Sequence, residues 1–90
     1  MLISINRNSN EKFKVKITSH NITNHIIFLS DETHKKMTNN LKSKEDLINF
    51  SITFLLKREP NTAILSSFDL TKISHYFPEY LDEVKSWINE

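Results

Sequence analysis

Glycine is absent from all 90 residues of the chain. Loops that cradle phosphate groups and turns that bind dinucleotides need glycine, because their backbone adopts positive φ or approaches the ligand closely. Nucleotide-dependent enzymes of these classes are therefore not expected. Positive-φ positions must instead fall to asparagine, of which the chain has ten, and we expect turns at residues such as Asn39 and Asn40.

Cysteine is also absent. The chain can therefore form no disulfide and offers no thiolate ligand or nucleophile, which makes a reducing, cytoplasmic location the expectation. There is no run of 18 or more apolar residues and no basic-then-apolar segment at the N-terminus, so neither a membrane span nor secretion is predicted. With 38% hydrophobic residues the chain should nevertheless fold, as a single small domain over residues 1–90.

A β-hairpin is predicted in the first third of the chain. Polar and apolar residues alternate strictly over 11–18, which places Lys12, Lys14 and Lys16 on one face of a half-buried strand. A turn over 19–21 leads to a partner strand over 23–29, whose continuous apolar run at 26–29 suggests burial on both faces. Residues 1–5 also alternate, and the sequence leaves open whether they add a third strand.

The pattern becomes helical at Ser30, which is a predicted N-cap followed by acidic residues in the first turn. The helix is expected to end at Asn39. A second helix is predicted from Ser43 to about Arg58. Its apolar residues also alternate with period two, as in a strand, but the caps and the length favour a helix.

Two shorter helices are predicted nearer the C-terminus. Asp69 is expected to cap a helix over 70–76, with Phe68 and Ile73 placed for a hydrophobic staple. Pro78 is expected at the first position of a last helix.

The fold class that follows is α+β, with an N-terminal antiparallel β-hairpin of two or three strands packed on three to four C-terminal helices. The predicted core consists of the large apolar residues on the inward faces: Phe13, Val15, Ile17, Phe28, Leu47, Phe50, Phe54, Leu55, Ile64, Leu65, Phe68, Ile73, Phe77, Leu81 and Val84.

Residues 54–80 carry a closely spaced pattern of aromatic residues and prolines. It reads Phe54-Leu55-Leu56-x-Arg58-Glu59-Pro60, then Ile64-Leu65-x-x-Phe68-Asp69-Leu70, then Ile73-x-x-Tyr76-Phe77-Pro78-x-Tyr80. This block resembles that of a family of short, functionally uncharacterised bacterial proteins, in which the hairpin also precedes the helices. The resemblance covers about a third of the chain. It implies the fold and carries no activity with it.

Charge is unevenly distributed along the chain. Residues 1–44 hold eight Lys or Arg and three acids, for a net charge of +5, whereas residues 45–90 hold four and eight, for a net charge of −4. The lysine face of the first strand could contact nucleic-acid phosphates. The interpretation that the sequence favours is a solvated face whose lysines prevent aggregation of the sheet, since no aromatic stripe for base stacking accompanies it. An acidic patch on a partner protein is the third alternative.

Arg58 and Trp87 complete the candidate partner-binding residues. Arg58 is either a recognition hook or the complement of a helix C-terminus paired with an acid such as Asp69. Trp87 is either a lid over the core or part of an exposed partner patch.

No catalytic, cofactor or metal site is predicted. The four histidines, His20, His25, His34 and His75, show no recognised metal-ligand spacing. Ser66, Ser67, Asp69 and His75 supply the residue types of a hydrolytic triad, but nothing in the sequence provides an oxyanion hole.

The function that these observations favour is that of a non-catalytic cytoplasmic protein-interaction or regulatory module. Its partner would be an unknown protein or a second copy of the chain. The alternative is a nucleic-acid-binding protein that uses the basic face of the hairpin.

Overall fold

A computed structural model describes residues 2–90 of the chain. Its sheet has four strands in the order β1-β2-β3-β4, namely β1 (Leu2–Arg7), β2 (Lys12–Thr18), β3 (Ile22–Phe28) and β4 (Ser67–Asp69). The first three are antiparallel, whereas β4 runs parallel to β3. A parallel partner requires a crossover, and residues 29–66 provide it.

Four helices follow the hairpin: α1 (Asp31–Thr38), α2 (Lys44–Leu56), α3 (Lys72–Tyr76) and α4 (Tyr80–Ile88). The Ser30 and Ser43 side chains accept hydrogen bonds from the backbone N–H groups of Thr33 and Asp46, as N-caps do. Asn39 and Asn40 then adopt positive φ, at 54° and 60°. The N-caps predicted at Ser30 and Ser43 and the asparagine stop are therefore confirmed.

The core lies between one face of the sheet and the helices. On β2 the inward residues Phe13, Val15 and Ile17 are at most 1% exposed, and alternation leaves the lysines on the outer face. The α+β class and the N-terminal antiparallel strands are confirmed, and residues 2–7 do form a third strand. Residue 1, with which the predicted strand began, lies outside the described residues.

The predicted core needs correction at three exposed residues. Phe28, Leu65 and Leu81 are 40%, 48% and 50% exposed, while Phe50 and Phe77 are partly buried. The prediction for Phe28 is wrong because β3 buries only one face. Its neighbours Ile27 and Leu29 point inward, whereas Phe28 points outward. The core contains apolar residues that were not predicted: Ile27, Leu29, Ile48, Ile52, Leu70 and Tyr80.

Several element boundaries and one cap were also predicted wrongly. Strand β4 was not predicted, α2 ends two residues earlier than expected, and α4 begins at Tyr80 instead of Pro78. Asp69 is the last residue of β4 and does not cap α3. Its carboxylate accepts hydrogen bonds from the backbone N–H and the hydroxyl of Thr71, at 3.0 and 2.8 Å. This is an Asx turn between strand and helix.

Candidate functional site: an apolar groove beside strand β4

An apolar groove of about 280 Å³ lies where α2, β4 and α3 meet. Its floor is made of buried side chains that belong to the core: Leu55, Ile64, Phe68 and Ile73. Leu65 and Tyr76 form walls of the groove, and their side chains are 48% and 66% exposed. An open cleft with apolar floor and walls is the usual surface for an apolar ligand or side chain.

The 61–65 segment, which forms one wall of the groove, is fastened to β3 by a buried polar cluster. His25 Nδ1 donates to the Leu65 carbonyl at 2.7 Å, since a carbonyl can only accept. Asn61 donates to the Asn21 carbonyl and to Thr23 Oγ1, both at 3.0 Å. The Thr23 hydroxyl lies 2.8 Å from His25 Nε2, to which it donates when the imidazole is neutral. The Leu65 backbone is therefore held in place by the His25 side chain of β3.

Two opposite charges line the groove, Glu59 and Lys72. Within residues 2–90 neither side chain forms an ion pair within 4.0 Å. Both charges therefore remain available to a ligand.

The predicted lysine face is present on the outer side of the sheet. Lys14 and Lys16 are exposed, Lys12 is half-buried, and Ser4 and Asn6 of β1 lie opposite Lys16 and Lys14. A depression of about 360 Å³ lies on this face.

One aromatic ring accompanies these lysines. Phe28 pairs with Lys12 on one side and with Asp69 of β4 on the other, so that a half-exposed ring and one carboxylate share the face.

Arg58 is held by contacts within the chain. Its guanidinium donates to the Phe54 carbonyl at 2.9 Å and to Glu83 at 2.7 Å, and lies 3.4 Å from Glu79. It also lies 3.5 Å from the centre of the Phe54 ring. Arg58 thus complements the α2 C-terminus as predicted, but it pairs with Glu79, just before α4, and with Glu83 within α4, and not with Asp69. This arrangement favours a structural clamp between α2 and α4.

Trp87 packs on the outside of the core. Its ring stacks on Phe50 with the centroids 4.5 Å apart, and the Lys42 ammonium lies 5.0 Å from the ring centre. The indole is partly buried, as expected of a lid, and its free side borders a polar depression that includes Asp46 and Asn49.

An ion pair that the sequence did not indicate joins the β1–β2 loop to the helices. The Lys44 ammonium, buried to 5% exposure, lies 2.6 Å from Asp31 and 2.8 Å from the Asn10 carbonyl. Asn10 also donates to Asp31 at 2.9 Å. These hydrogen bonds from Lys44 and Asn10 lower the pKa of Asp31 below its usual value.

The candidate chemistry of histidines and serines finds little support in the geometry. Across residues 2–90, no three His, Asp or Glu side chains come together as a metal-binding group. The Asp69 carboxylate, the acid of the triad residue types, is engaged by Thr71. His34 Nε2 donates to the Lys42 carbonyl at 2.6 Å, which closes the loop after α1.

No protein-family model, curated protein or solved structure matches this chain. The resemblance of the 54–80 block to a family of short bacterial proteins therefore stays a prediction. Among residues 2–90, no helix combines the length and the apolar character needed to cross a membrane.

Sequence reasoning did not single out the residues of the groove as a site. Tyr76 belonged to the patterned block, but Leu65 was assigned to the core, and Glu59 and Lys72 drew no attention as a pair. The available signal was an excess of apolar residues in the 61–77 segment over what one short helix can bury.

Proposed function

We propose that the protein is a non-catalytic interaction module and that the apolar groove binds a segment of a partner protein. The segment would insert one or two large apolar side chains and would carry a basic and an acidic residue beside them. One observation carries the proposal: an open apolar groove with Leu65 and Tyr76 half to two-thirds exposed on its walls. The absence of cysteine supports a cytoplasmic setting for this interaction.

The size and openness of the groove favour a protein segment over a small-molecule substrate. Ligand sites that enclose a drug-sized molecule measure about 300–1,000 Å³ and bury most of the ligand surface, whereas this groove of about 280 Å³ lies at the lower end of that range and is open to solvent. A cleft of this size suits the anchor side chains through which protein interfaces gain most of their affinity.

The charges of Glu59 and Lys72 determine which charged residues the partner segment should carry beside its apolar side chains. Glu59 would pair with a basic residue and Lys72 with an acidic residue of the partner. Such rim pairs contribute modestly to affinity, but they select orientation and disfavour segments with the opposite arrangement. A segment with its charges reversed should therefore bind less well.

Selection from a phage-displayed library of random peptides tests the proposal. We expect wild type to enrich peptides with an aromatic or branched aliphatic anchor next to charged residues. Because Tyr76 is two-thirds exposed, Tyr76→Ala should leave the fold intact and weaken these peptides about tenfold or more, as expected for an interface anchor. Leu41→Ala is the matched control, since Leu41 is 61% exposed and does not line the groove.

The charge pair provides the second part of this test. Replacing Glu59 by Lys and Lys72 by Glu together should redirect the selection to peptides with exchanged charges. Enriched peptides that bind Tyr76→Ala as tightly as wild type, or amide shift changes confined to the outer face of the sheet, would contradict the groove as the binding site.

Nucleic-acid binding through Lys12, Lys14 and Lys16 is the second candidate function. The observation that favours it is Phe28, which adds a half-exposed ring to the lysine face. Against it, a single ring offers one stacking site, and Asp69 places a carboxylate on the same face. The resemblance to the family of short bacterial proteins adds no activity to either candidate.

A further inference from the structure

Strand β1 forms an open edge of the sheet. Its neighbour on one side is β2, and no strand within residues 2–90 lies on its other side. The Asn8 N–H donates to the Lys12 carbonyl, so the hydrogen-bonded pairs with β2 fall on the even-numbered residues of β1. The N–H and C=O groups of Ile3, Ile5 and Arg7 therefore point outward. A row of such groups is a template for another strand.

The usual protection of an edge strand is missing from β1. Natural edges carry lysines, prolines or bulges, but residues 2–6 contain no charge and no proline, and the register with β2 runs without interruption from Leu2 to Arg7. Arg7 is the one charge of the strand. It is bound to Glu45 at 3.3 Å and lies 5.1 Å from the Phe13 ring centre.

The inward face of β1 is incompletely covered. Ile3 and Ile5 are only partly buried, whereas Val15 and Ile17 beside them on β2 are at most 1% exposed. A strand added next to β1 would cover both isoleucines. The edge thus offers apolar side chains together with unpaired backbone groups.

We propose that β1 pairs antiparallel with β1 of a second copy of this chain, in a two-fold register centred on Ser4. Ser4 then faces Ser4 of the partner subunit, and Ile3 faces Ile5 of the partner subunit. Even-numbered residues of one β1 then face even-numbered residues of the other, and odd-numbered residues face odd-numbered ones. The helices of both copies therefore lie on the same side of a continuous eight-stranded sheet.

The two isoleucines and Arg7 select this register. A register centred on Ile5 would place Ile3 opposite Arg7 of the partner subunit and would draw Arg7 away from Glu45. Centring on Ser4 matches isoleucine with isoleucine across the interface.

The lysine face does not oppose the pairing. Lys16 lies beside Ser4 in the register of β1 and β2, so the Lys16 residues of the two copies stand three strand spacings apart. That distance is about 14 Å, longer than the Debye length of about 8 Å at physiological salt. No charges of like sign lie directly opposite each other along residues 2–6.

Single-cysteine variants test the register, because the chain has no cysteine of its own. In the proposed dimer Ser4→Cys places two thiols on directly opposite residues with Cα atoms about 4.5 Å apart, within the range of a disulfide. Asn6→Cys is the matched control on the same face, with its copies about 14 Å apart. We expect the Ser4→Cys dimer to form at least about tenfold faster under mild oxidation. Equal rates for the two variants, or no cross-link in either, would overturn the proposal.

Sedimentation equilibrium provides a test without cross-linking. Wild type should pass from monomer to dimer between about 10 μM and 1 mM, as befits a small interface. Ser4→Lys places two ammonium groups at the two-fold axis and should abolish the dimer, whereas Asn24→Lys, on the same face of the interior strand β3, should leave it. A wild type that stays monomeric throughout, or a Ser4→Lys variant that dimerises equally well, refutes the pairing.

The dimer and the groove are independent. The groove lies beside β4, at the opposite edge of the sheet from β1. Failure of the cross-linking test would therefore leave the proposed function standing, and failure of the peptide selection would leave the dimer standing.

Discussion

At the scale of single residues, the buried contact between Ser51 and Tyr80 shows how the assignment of hydrogen-bond donor and acceptor determines the stability of variants. Ser51 Oγ lies 2.7 Å from the Leu47 carbonyl and 2.5 Å from the Tyr80 hydroxyl. The carbonyl accepts the only hydrogen of the serine, so Tyr80 donates its own hydrogen to Ser51. Burial raises the pKa of the Tyr80 hydroxyl well above its usual value, more than the hydrogen bond to Ser51 lowers it. The tyrosine is therefore a neutral donor with a single acceptor.

This geometry predicts an unequal cost for the two possible deletions. Ser51→Ala leaves a buried hydroxyl without an acceptor and should lower the free energy of unfolding by about 1–3 kcal/mol. Tyr80→Phe removes the donor hydroxyl together with its need for an acceptor, and should lower the free energy of unfolding by about 1 kcal/mol or less. Urea unfolding of both variants and of the double variant measures the difference. A larger loss in Tyr80→Phe than in Ser51→Ala would contradict the hydrogen assignment.

A second residue-scale prediction concerns pH and Asp31. The pKa of Asp31 is lowered in the folded state, so near pH 3.8, the usual pKa of an aspartate, the folded protein binds fewer protons at this site than the unfolded chain. The stabilisation is complete above that pH and is lost as the pH falls through the lower, folded pKa. Asp31→Asn should therefore remove part of the acid-induced loss of stability.

Urea midpoints measured between about pH 2.5 and 7 test this prediction. Glu32→Gln is the matched control, because Glu32 is adjacent and its one ion pair within residues 2–90 is with the exposed Lys36. If both variants lose stability at low pH as steeply as wild type, the contact between Asp31 and Lys44 does not contribute in solution.

At the scale of elements, the outer face of the sheet yields a prediction about nucleic acid. Three lysines and one ring provide a phosphate footprint with little stacking, so single-stranded DNA and RNA should bind weakly and only at low salt. Affinities at about 50 and 200 mM salt are the measurement, since contact with six phosphates would lose on the order of a thousandfold over this range.

Charge reversal and ring removal provide the controls for that measurement. The combined Lys12→Glu, Lys14→Glu and Lys16→Glu variant reports the phosphate contacts, and Phe28→Ala reports stacking. Sub-micromolar binding at the higher salt that both variants abolish, with the fold intact, would establish the nucleic-acid function in place of the groove.

The elements that sequence predicted well are those whose signals are local. Ser30 and Ser43 mark helix starts because each side chain satisfies a backbone N–H three residues ahead. Strand β2 follows from strict alternation, which needs no knowledge of the partner strand. These signals were sufficient for the α+β class.

The elements that sequence missed depend on distant contacts. Strand β4 has three residues and is defined by its pairing with Ile26 to Phe28, about 40 positions earlier. Leu81 is exposed and Tyr80 buried because α4 turns Tyr80 and Val84 toward the core, where the Tyr80 ring packs against Phe54 of α2. The groove was beyond sequence reasoning for the same reason, since its walls come from separate elements.

At the scale of the whole molecule, β4 joins the two parts of the fold into one cooperative unit. Leu70 N–H donates to the Phe28 carbonyl and Ile26 N–H to the Ser66 carbonyl, so the C-terminal block extends the N-terminal sheet. The helices bury the inward face of that sheet, and Phe13, Ile17 and Tyr80 have no exposed surface. Neither the strands nor the helices can therefore lose structure without exposing the core of the other.

Unfolding should consequently be two-state, with probes in the two parts reporting one transition. Trp87, the only tryptophan, senses the packing of α4 on α2 through its stack on Phe50, while amide signals of β1 to β3 report the sheet. We expect coincident urea midpoints and a slope of about 1 kcal/mol per molar urea, as for other small domains. EDTA should shift neither midpoint, because no metal-ligand set is predicted. Sheet signals that persist after the Trp87 transition would instead divide the chain into two units, with β4 as a docking contact between them.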